Sequence, residues 1–503
     1  MKRSKHNLSF NNLMTGSMGT LYPVGCVEVL PGDTFQHRCS VFLRSMPLLA
    51  PVMHSVTIGI NHFFVPNRLV WNAASPDNWE EFITGGNDGN NAATIPIIDQ
   101  GATPLTTHPL LGYLGIPPVA NLEINALAIR GFNMIFNEFF RDQDLVTART
   151  EDDCTMPRVA WNRDRFTTAR PWTQRGAAVS VPISGMAQVM GVGPIDTDTF
   201  SGSNDMRQTD GSVYTANDVS DNFLIARENA AVANAPGIFA DLSTATAGDV
   251  NDWRLAFALQ RYKEARAKYG ARYTEYLRYL GIRSSDARLD RPEFLSGSRQ
   301  TIAYSEVLQT ASETTPSGDP QAVVGAMKGH GISAMRGNKY RRFFEEHGHV
   351  ITTLFVRPKS IYQNMLERKW KRTDKESYWQ KELQQIGQDE LKSKEVFAEI
   401  DESTAGANDN GDTILGYVDR YSEYKANPSY VCGQYRTDAA TSLDHYHFAR
   451  ELASRPTLNA AFIECNPTKR VFPVTTEDVL WASVSHSLVA RRMVTKGNAS
   501  RII

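Results

Sequence analysis

Apolar and polar positions alternate most cleanly at residues 52–64. Val52, His54, Val56, Ile58, Ile60, His62 and Phe64 fall on one side; Met53, Ser55, Thr57, Gly59, Asn61 and Phe63 fall on the other. A period of two over that length predicts a strand with one buried face, ended by Pro66-Asn67. Shorter β-type runs are Thr20–Val24, Val27–Leu30, Ala178–Ile183, Val350–Arg357, Ala461–Ile463 and Leu480–Val484. Period 3.6 dominates at 122–142, where Ala128, Phe132, Ile135, Phe136 and Phe139 recur at steps of three and four, as on the core face of a helix. Residues 253–281 predict a second helix, with Leu255, Leu259, Tyr262, Arg266 and Tyr269 on one side and Gly270 as a break. A helix is also expected over Asp438–Ala453, whereas 84–118, rich in Gly, Asn, Thr and Pro, reads as a long loop. Short strands at both ends with long insertions between them predict a mainly β protein, an antiparallel sandwich or jelly roll elaborated by loops.

Charge then divides the chain. Residues 1–20 carry Lys2, Arg3 and Lys5 and no acid, and read as a basic arm without periodicity. Residues 486–503 read as a basic tail, with Arg491, Arg492, Lys496 and Arg501. Between them, residues 186–252 hold ten acids against Arg207 and Arg227, a net of −8, and few large apolar residues. Such a segment cannot bury a core of its own, so it is expected as an exposed insertion in a single domain spanning 21–485. The following 253–281 stretch reverses to +5. Over 503 residues the charges nearly cancel, 53 Lys+Arg against 55 Asp+Glu, so nucleic-acid binding has to be local. No apolar run reaches the ~18 residues of a membrane span, and the basic start lacks an apolar signal core; no membrane insertion is expected.

Chemistry is sparse. No nucleophile elbow, phosphate loop or zinc-protease helix occurs. Five scattered cysteines, none in a C-x-x-C pair, fit a reducing compartment rather than a disulfide or zinc framework. His347-Gly348-His349 and His445-Tyr446-His447 could each put two imidazoles on one strand face, but no third ligand lies nearby, so structural roles are expected. Glu345-Glu346 and Asp152-Asp153 are adjacent, so their carboxylates diverge. We therefore expect no catalytic residue, metal or cofactor. The candidate DNA contacts are Lys2, Arg3, Lys5, Arg491, Arg492, Lys496 and Arg501, because basic ends neutralise phosphate without reading sequence. Tyr262, Tyr269, Arg272, Tyr273 and Tyr276 are the candidate subunit contacts, since Tyr and Arg favour interface cores.

Several segments in one order resemble the major capsid protein of the Microviridae, in particular its gokushovirus-like branch. They are Phe64–Trp71, Asp77–Phe82, NMIFNEFFRDQDL from Asn133, RPWTQRG from Arg170, the run Arg254–Gly297 with its SSDARLDRPEFL core, Glu346–Ile351, and GYVDRYSEYKANP from Gly416. The resemblance spans about 60–465. It implies an eight-stranded viral jelly roll with loop and helical insertions, and a structural protein. Sixty copies would form a T=1 shell around circular single-stranded DNA, assembled in the bacterial cytoplasm and localised to the virion. It also implies an internal scaffolding protein, a small basic DNA-binding protein, a pilot protein and a host receptor as partners. In that family an insertion projects at the three-fold axes, for which 186–252 is the candidate. Two rival classes are a β-rich phage carbohydrate-active enzyme and a soluble single-stranded DNA-binding module.

Overall fold

The computed structural model describes residues 3–71, 78–85, 94–179, 250–270, 272–308, 327–398 and 413–495, plus a few short pieces between 188 and 322. The chain divides into a large unit, residues 1–173 and 267–503, and a small one, Gln174–Arg266.

The large unit is built on two antiparallel sheets. One has four strands: β3 (Leu21–Val29), β5 (Val56–Pro66), β6 (Glu293–Thr301) and β10 (Gly348–Pro358), in the order β6-β5-β10-β3. The other has seven: β1 (Ser4–Asn7), β2 (Phe10–Gly16), β4 (Thr34–Ser45), β7 (Ala303–Leu308), β8 (Met327–Arg336), β9 (Tyr340–Phe343) and β11 (Leu480–Arg492). Its spine runs β1-β11-β4-β8-β7, with β2 also on β11 and β9 also on β4. The chain crosses from sheet to sheet at β3, β4 and β5, and again at β8, β10 and β11. Every pairing is antiparallel.

Alternation decides which side chains fill the space between the sheets. Val24, Ile58, Ile60, Leu354 and Val356 from the four-stranded sheet meet Val41, Leu43, Met335, Ala482 and Val484 from the other. The 52–64 pattern thus finds its buried face, although the strand starts at Val56. Its second face is buried too. Phe63 and Val65, with Ile351 and Phe355, pack on Ile129, Phe132 and Ile135 of α1 (Leu127–Ile135), which continues as a π-helical turn over Phe136–Phe140. A helix therefore covers the side expected to be wet. Gly59 permits this: a Cβ there would lie 2.3 Å from the Phe355 ring.

The basic arm and tail are corrected. Residues 4–7 and 10–16 are strands, and both pair with β11, which runs to Arg492. Residues 438–453 are not helical apart from a short 3-10 turn, Asp444–Tyr446. Ser442 Oγ donates to the Arg436 carbonyl at 2.9 Å and accepts from the Asp444 amide at 3.3 Å, local bonds that compete with a helix. Residues 460–463 form a short helix rather than a strand, because Asn459 Oδ1 caps the Phe462 amide at 3.1 Å. The expected strand at 178–183 lies almost wholly outside the described residues.

Polar side chains also sit between the sheets. His486 Nε2 faces the Val24 carbonyl at 3.0 Å, and a carbonyl can only accept. With both rings neutral, as their burial favours, His486 Nδ1 accepts from His37 Nε2 at 3.0 Å and His37 Nδ1 accepts from the Tyr340 hydroxyl at 3.1 Å, which closes the chain. His62 stacks edge-on to His37, centroids 4.7 Å apart, and bonds Thr352 Oγ1 at 2.9 Å. Burial, then neighbouring histidines, lower His37 to about 3 and hold His62 well below its ordinary range; burial lowers His486 to about 4. These groups stay neutral in the fold while the unfolded chain takes up protons below about pH 6.5. Stability is therefore full above that pH and is lost as pH falls toward 4, at about 1.4 kcal/mol per pH unit for each histidine. Thermal unfolding of wild type and His62→Gln between pH 4 and 7.5 checks this. The variant should show a shallower acid slope; an unchanged slope refutes the role of the cluster.

Candidate nucleic-acid and subunit interfaces

The same alternation that fills the core sorts the outer face of the seven-stranded sheet. On β4, Phe35, His37, Cys39, Val41 and Leu43 point inward, leaving Thr34, Gln36, Arg38, Ser40, Phe42 and Arg44 outward. Register carries this across. Lys5 lies opposite Arg491, and Arg491 opposite Thr34; Arg336 lies opposite Ser40, and Arg341 opposite Gln36. Lys328 is on the same outward side of β8. Seven cations from five strands thus share one face. The remaining outward positions of β1, β2, β4, β8 and β11 are Ser, Thr, Asn, Gln, His or apolar residues, and none is an acid. None of the seven cations ion-pairs among the described residues. Three large rings open onto it: Phe42, Phe343 and Trp481, each 42–46% exposed. Arg44 lies 5.4 Å from the Phe42 ring and Arg3 5.3 Å from the Phe343 ring. Unpaired cations interleaved with exposed rings are the composition that binds single strands without reading sequence.

The candidates at the chain ends fare differently. Lys5 and Arg491 form a like-charge cross-strand pair, both exposed. Arg3 is tied to the Gly32 carbonyl at 3.0 Å and Thr34 Oγ1 at 3.1 Å. Arg492 turns toward the sandwich edge, where its Nε donates to buried Asp33 at 2.9 Å. It is therefore committed to structure. Lys2, Lys496 and Arg501 lie outside the described residues. Sequence reasoning missed Arg38, Arg44, Lys328, Arg336 and Arg341. The alternation in Thr34–Ser45 was the available signal for the first two.

The tyrosine-rich stretch forms α2 (Val250–Tyr269) and α3 (Tyr273–Tyr279), broken at Gly270 with φ 92°. Tyr262 and Tyr269 are each 48% exposed and Tyr273 63% exposed, with Leu255 and Phe257 likewise open. Tyr276 is half-buried and stacks with Tyr273, centroids 6.5 Å apart. Arg272 is already engaged, donating to the Asn137 carbonyl. So much exposed apolar surface on one helix pair is unusual for a chain that stays alone.

His349, His447, Asp152, Asp153 and Glu346 each have a structural partner. His349 Nδ1 bonds Asn67 Oδ1 at 3.0 Å, and His447 Nε2 bonds the Tyr435 carbonyl at 2.8 Å. Asp152 holds Arg130 at 2.6 Å, Asp153 holds Arg149 at 3.2 Å, and Glu346 holds Arg68 at 2.8 Å. No group of His, Cys, Asp and Glu suited to a metal occurs among the described residues. Burial pushes the Cys39 and Cys465 thiols up to about 12, far from a reactive thiolate.

Comparison with known proteins identifies the family. The family model described as "Capsid protein (F protein)" matches residues 1–500. The chain belongs to this phage capsid protein family. It is 34% identical to capsid protein VP1 of Bdellovibrio phage phiMH2K, over 98% of this chain and 95% of that one. It is 29% identical to capsid protein VP1 of Chlamydia phage 1 (94% and 91% covered) and 28% identical to that of Spiroplasma virus 4 (92% and 87%). The protein is thus a Microviridae-type major capsid protein, structural rather than enzymatic. The carbohydrate-active enzyme and the free DNA-binding module both give way to it.

Opposed Lys5 and Arg491 repel in the empty protein, by about 0.2–1 kcal/mol for such a pair. Lys5→Ser should therefore raise the melting temperature of the DNA-free protein slightly while weakening its hold on single-stranded DNA. Lys5→Ser with Arg491→Ser should reduce the slope of log affinity against log salt by about 1.4, two contacts at about 0.7 each. A melting temperature that falls, or an unchanged salt slope, contradicts the assignment.

Proposed function

We propose that sixty copies of this chain close a T=1 icosahedral shell around circular single-stranded DNA, with the outer face of the seven-stranded sheet turned inward to the genome. The observation that carries this reading is the face itself: seven unpaired cations, three open aromatic rings and no acid. A polyanion is the ligand that relieves the mutual repulsion of those cations. The strands crossing between two packed sheets support an eight-stranded jelly roll, with β8 and β9 sharing one edge of β4 as a single strand position and β1 and β2 widening the sheet beyond β11. A capsid protein meets copies of itself around symmetry axes, and heterologous contacts need exposed apolar material away from the sandwich. The tyrosine helices supply it through Tyr262, Tyr269 and Tyr273.

The acidic segment 186–252 fits an outward protrusion at the three-fold axes, where its charge does not oppose packaging. Receptor engagement on the host surface would belong to such a protrusion. Scaffolding, pilot and small basic DNA-binding proteins complete an assembly in the bacterial cytoplasm.

Velocity sedimentation and negative-stain microscopy of the full chain produced with its phage partners test the shell. Sixty copies of a 56.0 kDa chain give about 3.4 MDa of protein. Closed particles of that mass are expected, and Tyr262→Ser with Tyr273→Ser should leave the subunit folded but unassembled. Normal particles from that double variant would remove the helices from the interface. Closed particles of another copy number would refute the T=1 assignment.

A further inference from the structure

The helix-covered side of β5, β6 and β10, opposite the cationic face, is not filled along its whole length. Beyond α1 it leaves a cavity of about 600 Å³, walled by the sheet, the Phe139–Asp142 turn and the Val159–Arg163 segment. That volume is within the ~300–1,000 Å³ of small-molecule sites. Five guanidinium groups line it: Arg141, Arg163, Arg272, Arg299 and Arg357. None of the five makes an ion pair among the described residues. The acids nearest Arg141 in sequence are already engaged. Arg170 holds Asp142 at 3.2 Å and Asp144 at 3.3 Å, and Arg291 faces Glu138 at 4.0 Å.

Two of these arginines carry an unmet need. The Nε atoms of Arg141 and Arg357 are buried without a hydrogen-bond partner, although each side chain donates elsewhere, Arg141 to the Val146 carbonyl and Arg357 to the Ala160 carbonyl, both at 2.9 Å. Buried donors of this kind call for an explanation. Water would satisfy them but would leave the charge uncompensated. The cations also come in pairs. Arg272 donates to the Arg141 carbonyl at 3.5 Å, and Arg299 on β6 and Arg357 on β10 flank β5 at Gly59 and Thr57. Burial pulls Arg141 and Arg357 below the usual arginine range, and a like-charged neighbour adds to it, Arg272 for the first and Arg299 for the second. Such pairs facing one space repel unless an anion lies among them. The rest of the wall is aromatic, and its rings pack on one another. Phe63 meets Phe139 at 4.8 Å and Phe294 at 5.6 Å between centroids, and Phe140 meets Phe355 at 6.0 Å. Apolar walls of this kind strengthen the pull of cations on an anion.

We propose that this cavity binds one small free oxyanion of the phosphate class, carrying two or more charges, and that the anion fastens the segments around it to the sandwich. A phosphate group accepts charge-assisted bonds from several sides, whereas a carboxylate accepts in one plane. The five arginines come from the turn after α1, the 159–163 segment, the approach to α3, and strands β6 and β10, so they meet the ligand from several sides. A ligand held only by the folded chain stabilises it by mass action. The site rests on the cavity alone and is independent of the shell and genome readings.

Calorimetric titration and thermal unfolding of the full chain with pyrophosphate, citrate and sodium chloride at matched ionic strength test this. One pyrophosphate should bind per chain and raise the melting temperature, with citrate weaker and chloride without effect. Arg163 and Arg299 are exposed, so Arg163→Gln and Arg299→Gln keep the fold. Each should weaken pyrophosphate binding about tenfold or more, the loss of one charge-assisted hydrogen bond. Lys5→Ser with Arg491→Ser, on the other sheet, should bind as wild type does. Chloride acting equally, unchanged affinity in both arginine variants, or loss of binding in the Lys5 and Arg491 variant overturns the site. Citrate binding as tightly overturns the phosphate assignment. Closed particles should again take up one pyrophosphate per chain. Particles that take up none, from a free chain that does, would put a neighbouring copy's carboxylate in the cavity and overturn the free anion as its occupant.

Discussion

Everything in the larger sheet depends on β11 having partners along both of its edges. Its thirteen residues pair with β4 on one side and with β1 and β2 on the other. An unpaired edge of that length would leave a row of backbone donors and acceptors exposed, a template for pairing with another chain. The first strands of the chain therefore do more than decorate the sandwich. They cap a strand whose inner side chains, Ala482, Val484 and Leu488, close two of the core clusters, and whose His486 anchors the buried hydrogen-bond chain. Gly25 is part of the same arrangement: a Cβ there would sit 2.7 Å from the His486 ring. Because β1 and β2 pair with β11, that sheet cannot be completed until β11 is in place.

The same pairing creates an electrostatic problem. Lining up β1, β11, β4, β9 and β8 in register gathers arginines and lysines that are far apart in sequence. Hydrophobic burial between the sheets outweighs the repulsion, since each exposed like-charge pair costs at most about 1 kcal/mol and each buried aliphatic side chain contributes about 1.5–3 kcal/mol. The face is thus held in a state that an anion improves. Stability and binding pull against each other at Lys5 and Arg491.

How much of this was legible follows from what each segment records locally. Strands β5 and β10 announced themselves because their alternation and β-branched residues are local properties. Strands β1 and β2, SKHN and FNNLMTG, did not. Their residues are poor strand formers, and what makes them strands is a partner more than 450 positions away. Residues 438–453 misled in the opposite sense, since good helix formers were overruled by serine and aspartate bonds to nearby backbone and by burial of Phe448, Ala449 and Arg450. The site followed the same rule. Individual cations at the ends could be seen; their company with Arg38, Arg44, Arg336 and Arg341 could not, because only strand order and register put them on one face. The family resemblance, by contrast, was carried by short local segments and was readable at once.

The charge balance of the whole chain gains meaning from this segregation. A protein that repeats itself around symmetry axes multiplies any net charge it carries, so a uniformly basic subunit would repel its own neighbours. A neutral subunit with mixed surfaces would hold a polyanion poorly. Here the total is −2, yet residues 186–252 alone contribute −8 and the sheet face carries cations without acids. Placing the opposite signs in separate parts of the chain lets the subunit offer a strongly positive surface while remaining close to neutral toward other copies. The acidic segment keeps the cations from making the whole subunit basic.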